Sequence, residues 1–265
     1  MVFFPSALHD KRTPYAQCMT SGLPVFAIET RKGRRFIACD YLSFCESYYR
    51  EHTNGRHFHE ILRSGIQTKV FMDFDQTLQT NPVNFEQCVE DFQATCDTFV
   101  LNVIALLADS CDELASLRGH EKDLSVIRLT NHRQNKLSLH VILPIAMEDL
   151  SDVGEIVHQV QEKTPCKYVD IGVYKRNHSM RIVYSSKRKG SGELIENNTP
   201  GEYNVGVVFR SLIQNAQDDR YDNYVMSVSI PALTAQRANR RLERNGQRCL
   251  HDPFVQRLQD DISLF

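Results

Sequence analysis

The stretch Lys69-Val-Phe-Met-Asp-Phe-Asp75 constrains this chain more than any other. Read as a strand, its period of two sets Val70, Met72 and Phe74 on one face and Phe71, Asp73 and Asp75 on the other. Two carboxylates on one face of a strand stand roughly 6.5–7 Å apart at the backbone, near enough to converge on one or two divalent cations. The flanks are apolar, and two like charges on a half-buried strand are costly unless a cation offsets them. The alternative is a strand end at which Asp75 caps the following turn.

With 265 residues, 42% hydrophobic and 24% charged, the chain has room for one large or two small domains. Its net charge of −2 gives no global pull toward nucleic acid, so any such surface must be a local patch. No apolar run approaches the ~18 residues of a membrane helix, so no membrane is expected. The start, MVFFPSALHDKR, lacks a charged n-region and a long apolar stretch, so no signal peptide is expected. Eight cysteines include no CxxC pair. Reduced thiols and an intracellular, non-secreted protein follow, and the spacing of a structural zinc site is missing.

The pattern predicts irregular chain over residues 1–23, a hairpin of strands 24–29 and 34–39, and a helix from Tyr41 opened by Asp40. A polar loop with His52, His57 and His59 then leads to the Asp-x-Asp strand. A long helix follows over 85–108, its apolar stripe including Phe92, Cys96, Phe99 and Val103 and its acidic face solvated. Residues 124–130 and 136–143 read as a hairpin, and Asp149 or Ser151 starts a helix to about 162. Strands are expected over 168–174 and 180–184, a loop over 185–204, a late strand within 224–230 and a basic helix over 234–245. In that helix Arg237, Arg240, Arg241 and Arg244 fall on one stripe that could track a phosphate backbone. A solvated or internally docked face is the alternative.

Two further stretches carry chemistry. In Lys136-Leu-Ser-Leu-His140 the strand period aligns an ammonium, a hydroxyl and an imidazole, each able to meet a phosphate oxygen. A solvated edge strand has the same pattern. In Val169-Asp-Ile-Gly-Val-Tyr174 an acid is set among apolar residues, which predicts at least partial burial of Asp170. From Ile171 to Gly190 there is no acid, but Lys175, Arg176, Arg181, Lys187, Arg188 and Lys189 are present. Carboxylates for metal beside cations for phosphate suit two-metal phosphoryl chemistry.

These three ordered stretches, with Asn177, Met180-Arg181 and Ser185-Ser-Lys187, resemble the archaeo-eukaryotic primases, and among them the PrimPol-type primase-polymerases. Val25-Phe-Ala-Ile-Glu29 and Gly33-Arg-Arg-Phe36 are similar to that family's N-terminal hairpin, so the likeness covers about residues 24–190. It implies an α/β (α+β) primase catalytic core. An RRM-like mixed or antiparallel sheet with flanking helices would span 67–230, behind an N-terminal α/β module over 1–66 and ahead of the basic helix within 231–265. It implies Asp73, Asp75 and Asp170 as ligands of two Mg²⁺ or Mn²⁺ ions. Lys136, Ser138, His140, Arg181 and Lys187 would bind the nucleotide's phosphates, and Arg35, ahead of Arg34, would be a further basic contact. The implied activity is template-directed synthesis or extension of primers from NTPs or dNTPs on DNA, alongside a helicase or other replication proteins, in the nucleus, a mitochondrion or a viral replication site. Two departures stand out. The first motif is Asp-x-Asp where PrimPol-type chains often have Asp-x-Glu, and no C-terminal zinc module is expected, Cys249 and His251 being too few ligands. A metal-dependent nuclease would use the same carboxylates without a triphosphate clamp. A non-catalytic RRM-like module would offer exposed aromatics instead.

Overall fold

The structure, a computed structural model, describes residues 13–50, 56–79, 82, 84–120, 124–187, 192–196, 204–233 and 235. In chain order the elements are α1 (Thr13–Thr20), β1 (Val25–Thr30), β2 (Gly33–Ala38), α2 (Tyr41–Arg50), β3 (Phe58–Leu62), β4 (Thr68–Thr77) and α3 (Phe85–Ser110). There follow β5 (Ile127–Thr130), β6 (Lys136–Met147), α4 (Leu150–Lys163), β7 (His178–Arg181), β8 (Ile195–Glu196), α5 (Val205–Ser211) and β9 (Met226–Ser227). The class is mixed α and β, with antiparallel sheets and flanking helices. These elements belong to the unit Met1–Val228, while Ser229–Phe265 form a second unit.

The first sheet runs β2-β1-β3-β7, antiparallel throughout. Pairing and alternation put Phe26, Ile28, Arg35, Phe58 and Glu60 on one face, and Ala27, Glu29, Arg34, Phe36, His59 and Arg181 on the other. α2 covers the first of these faces: Phe44 stacks on Phe26 with ring centroids 3.7 Å apart, and Tyr48 meets Phe58 edge-on at 5.2 Å. α1 covers part of the second, where Cys18 packs with Val25, Ala27, Ala38 and Ile61. The rest of that face presents Glu29, Arg34, His59 and Arg181.

The second sheet runs β4-β6-β5-β8, with β9 parallel to the far end of β6. Its chain order is β4, α3, β5, β6, α4, and then a single antiparallel bridge that sets Val169 beside Phe74 on the open edge of β4. Phe74 and Phe99 meet edge-on at 5.9 Å, and Arg128 pairs with Asp97, so α3 covers the face opposite Asp73 and Asp75. The β4–β6 register shifts between Lys69 and Phe71, facing the part of β6 that holds Pro144. Proline has no N–H to give a ladder, so a slip is the expected local outcome. α3 is long and apolar enough to cross a membrane, but Phe92, Cys96, Phe99, Val103 and Leu107 are buried in the protein core. No membrane-spanning protein is indicated.

Several expectations need correction. Residues 13–20 are helical because Pro14 lies in the first turn, where a missing N–H costs nothing. The expected polar loop ahead of β4 contains β3, whose Glu60 is buried and accepts the Ile213 and Gln214 N–H groups at 2.6 and 2.9 Å. Residues 168–174 are not a strand: after the Val169 bridge, the Asp170 carboxylate accepts the Gly172 N–H at 2.8 Å and opens a 3-10 turn over Ile171–Val173. The strand expected over 180–184 is β7, shifted to 178–181 and placed in the first sheet. The late strand shortens to β9, and α5 was not anticipated. The helix bearing Arg237, Arg240, Arg241 and Arg244 falls outside the described residues, as do Arg188 and Lys189.

Candidate active site

The register of the second sheet joins stretches that are separate in sequence. Asp73 pairs with His140, Asp75 with Ser138 and Thr77 with Lys136. Directly paired residues point to the same face of a sheet, so the two motifs form one patch. On the other edge of β4, the Asp170 N–H donates to the Asp73 carbonyl at 2.8 Å and the Asp75 N–H to the Tyr168 carbonyl at 2.8 Å. Asp170 therefore lies opposite Asp73, and one row runs Asp170, Asp73, His140. The Asp170 loop is tied down again at Tyr174, whose hydroxyl donates to the Phe71 carbonyl at 2.7 Å. Gly154 of α4 makes room for that ring: a Cβ there would stand 2.7 Å from the Tyr174 Cβ.

Asp170 is exposed, not partly buried as its apolar neighbours suggested, because the turn at Ile171–Val173 carries it to the rim. Asp73 is the enclosed acid, its side chain 15% accessible. Burial first, then repulsion from Asp75 and Asp170, pushes its pKa up to about 7, against the pull of Lys136 and Arg181. The His140 Nε2 lies 3.3 Å from Asp73 Oδ1. Burial pushes the His140 pKa down to about 3, helped by Arg181, Lys187 and Lys136 and opposed by Asp75. That shift favours the uncharged imidazole at neutral pH. Lys136 Nζ donates to Asp75 Oδ2 at 2.6 Å.

Arg181, at the end of β7, and Lys187, in the segment that follows it, carry their charges to the patch. Burial lowers the pKa of Arg181, while Asp73 and Asp75 oppose the shift. Burial, Arg181 and Lys136 lower that of Lys187, again against Asp75 and Asp73. The turn between them is clamped. Tyr184 sits at φ 62°, a conformation that side chains disfavour. Beneath it the buried Tyr48 hydroxyl donates to the Val183 carbonyl and lies 2.7 Å from Ser185 Oγ. Ser185 Oγ accepts the Phe58 N–H at 3.2 Å, and the Ser186 N–H donates to the Arg56 carbonyl at 2.9 Å.

The structure thus brings together Asp73, Asp75, Asp170, Lys136, Ser138, His140, Arg181 and Lys187. Arg35 does not join them. It is exposed on the α2 side of the first sheet, whereas Arg34 shares the Arg181 face and lies 3.6 Å from Glu29. His59, passed over in the sequence, also belongs here, paired with Arg181 across β3 and β7, and the charges of Asp73 and Asp170 act on His178 at the start of β7. Only the pairing of β3 with β7 exposes their relation.

Among the described residues no three His, Cys, Asp or Glu side chains form a ready coordination sphere. Asp73 Oδ1 and Asp75 Oδ1 are nonetheless buried without a hydrogen-bond partner. Carboxylate oxygens left unsatisfied and repelling one another fit a hard divalent cation such as Mg²⁺ or Mn²⁺. Comparison with protein-family models and with curated proteins returns no match.

Proposed function

We propose that this chain is a primase-polymerase catalytic core, a template-directed nucleotidyltransferase that makes or extends primers on DNA from dNTPs or NTPs. The observation that carries the reading is the row Asp170, Asp73, His140 with Asp75, Ser138 and Lys136 beside it, facing Arg181 and Lys187. The β4, α3, β5, β6, α4 order, with a last strand reduced to the Val169 bridge, suits the RRM-like module of such enzymes.

Asp73, Asp75 and Asp170 would hold two Mg²⁺ or Mn²⁺ ions. Bound there, such ions supply Lewis acidity at the attacking primer hydroxyl and at the leaving pyrophosphate. Lys136, Arg181 and Lys187 hold the triphosphate and neutralise its charge. The Ser138 hydroxyl and the uncharged His140 ring add hydrogen bonds whose direction the strand fixes. The burial of Asp73 and His140 keeps water from the reacting phosphate and strengthens each of these contacts.

A primer-extension assay with a labelled primer-template, dNTPs and Mg²⁺ or Mn²⁺ tests the reading, with an unprimed template in parallel. Templated incorporation by the wild type and its loss in the Asp73→Asn, Asp75→Asn variant is the expected result. Strand cleavage that needs no dNTP would make the protein a nuclease. DNA binding without turnover would make it a non-catalytic module.

A further inference from the structure

Arg133, in the turn between β5 and β6, belongs to the same face as the carboxylates. It exchanges both backbone hydrogen bonds with Lys136, at 2.8 and 3.0 Å, and Lys136 is in turn the partner of Thr77 on β4. A hydrogen-bonded antiparallel pair projects its side chains to one side of the sheet. Arg133, Lys136 and Thr77 therefore form a third row beside Asp75–Ser138 and Asp73–His140.

The Arg133 Nε is buried and has no hydrogen-bond partner. A guanidinium donor shut away from water is costly unless an acceptor takes it, and the acceptor that suits its fork best is a carboxylate or a phosphate. The neighbouring Asp75 carboxylate accepts from Lys136. The Arg133 charge also acts on Arg181 beside the carboxylates. Four cations, Arg133, Lys136, Arg181 and Lys187, thus gather near Asp73 and Asp75. Like charges gather in this way where a polyanion is to be held.

The geometry points to Arg133 as a direct contact for the terminal phosphates of the nucleotide, and for pyrophosphate after transfer. This rests on the nucleotidyl-transfer reading of the same site. It places the terminal phosphates at the Lys136 end of the rows, away from Asp170.

Calorimetric titration tests it, with inorganic tripolyphosphate and a dNTP as probes in Mg²⁺, on wild type, Arg133→Gln and Arg133→Lys. Thermal melting checks that each variant is folded. Expected are a roughly 10- to 50-fold weaker affinity for both probes in Arg133→Gln and about 5-fold in Arg133→Lys, which keeps the charge but loses the fork. Binding of a deoxynucleoside monophosphate should be unchanged. Wild-type affinity in Arg133→Lys would reduce the residue to a distant charge and overturn the contact. Equal loss for monophosphate and triphosphate would overturn the assignment to the terminal phosphates. A wild type that binds neither probe would overturn the site. Arg133-dependent tripolyphosphate binding by a protein that incorporates no nucleotide would leave the inference standing and remove the polymerase reading alone.

Discussion

Asp170 lies directly across from Asp73, its N–H donating to the Asp73 carbonyl at 2.8 Å. A residue almost a hundred positions later in the chain is thus fixed to the first acid by backbone, not by side-chain preference. The three carboxylates share one end of β4 whatever occupies the space between them.

Asp73→Asn should stabilise the metal-free protein at pH 8 and leave it unchanged near pH 3. The folded pKa of about 7 lies above the ordinary 3.8. The stability that this group contributes is therefore complete below about 3.8 and lost as pH rises through 7. The expected gain at pH 8 is about 1–3 kcal/mol, read by urea unfolding in EDTA. A variant less stable than wild type at pH 8 would contradict the crowding of carboxylates.

Mg²⁺ or Mn²⁺ affinity should rise with pH up to about 7 and then level off, since Asp73 must lose its proton before it can bind a cation. Titration calorimetry at pH 5.5, 6.5 and 7.5 measures this, and a flat profile would sink it.

His140→Ala and Arg181→Ala should each weaken nucleotide binding about 10- to 100-fold, the size of one or two hydrogen bonds to a charged group. DNA affinity should change less. The His140 ring is already uncharged well above a pKa of about 3. Its contribution should therefore not vary between pH 6 and 8. Loss of DNA binding with intact nucleotide affinity would reverse these roles.

Tyr48→Phe removes the hydroxyl that supports the Val183–Ser185 turn. A cost of about 1–2 kcal/mol is expected for a buried donor lost from a polar pair. Lys187 follows this turn, so nucleotide KM should rise while kcat holds. A lower melting temperature with unchanged KM would confine Tyr48 to stability.

Gly154→Ala drives a methyl group to within 2.7 Å of the Tyr174 Cβ. Overpacking of this kind costs about 1–3 kcal/mol. Because the Tyr174 hydroxyl anchors the Asp170 loop to β4, incorporation should fall further than stability alone explains. Full activity in this variant would show that the loop does not depend on its anchor.

Periodicity made Asp73 and Asp75 legible as a pair on one face, and Lys136, Ser138 and His140 as a row. The register that welds the pair to the row was not legible, since it depends on the slip at Pro144 and on long-range pairing. β3 escaped notice because His59 and Glu60 look solvent-seeking, yet Glu60 is buried and its carboxylate accepts backbone N–H groups from residues 213 and 214. The apolar stretch 168–174 suggested a strand. The Gly172 N–H, donating to the Asp170 carboxylate, diverts it into a turn after a single bridge. The choice of Arg35 failed for a simpler reason: adjacent arginines on a strand point opposite ways, and nothing local says which side is covered.

Pairing Phe58–Leu62 with His178–Arg181 has a kinetic consequence. As the chain leaves the ribosome, β3 has an unpaired edge until β4, β5 and β6 of the second sheet have all been synthesised. Contacts between such distant segments slow folding, and the waiting edge invites intermolecular pairing. The strand that ends this exposure delivers Arg181 to the carboxylates, so nascent chains truncated before residue 178 should aggregate and lack a nucleotide site for one and the same reason.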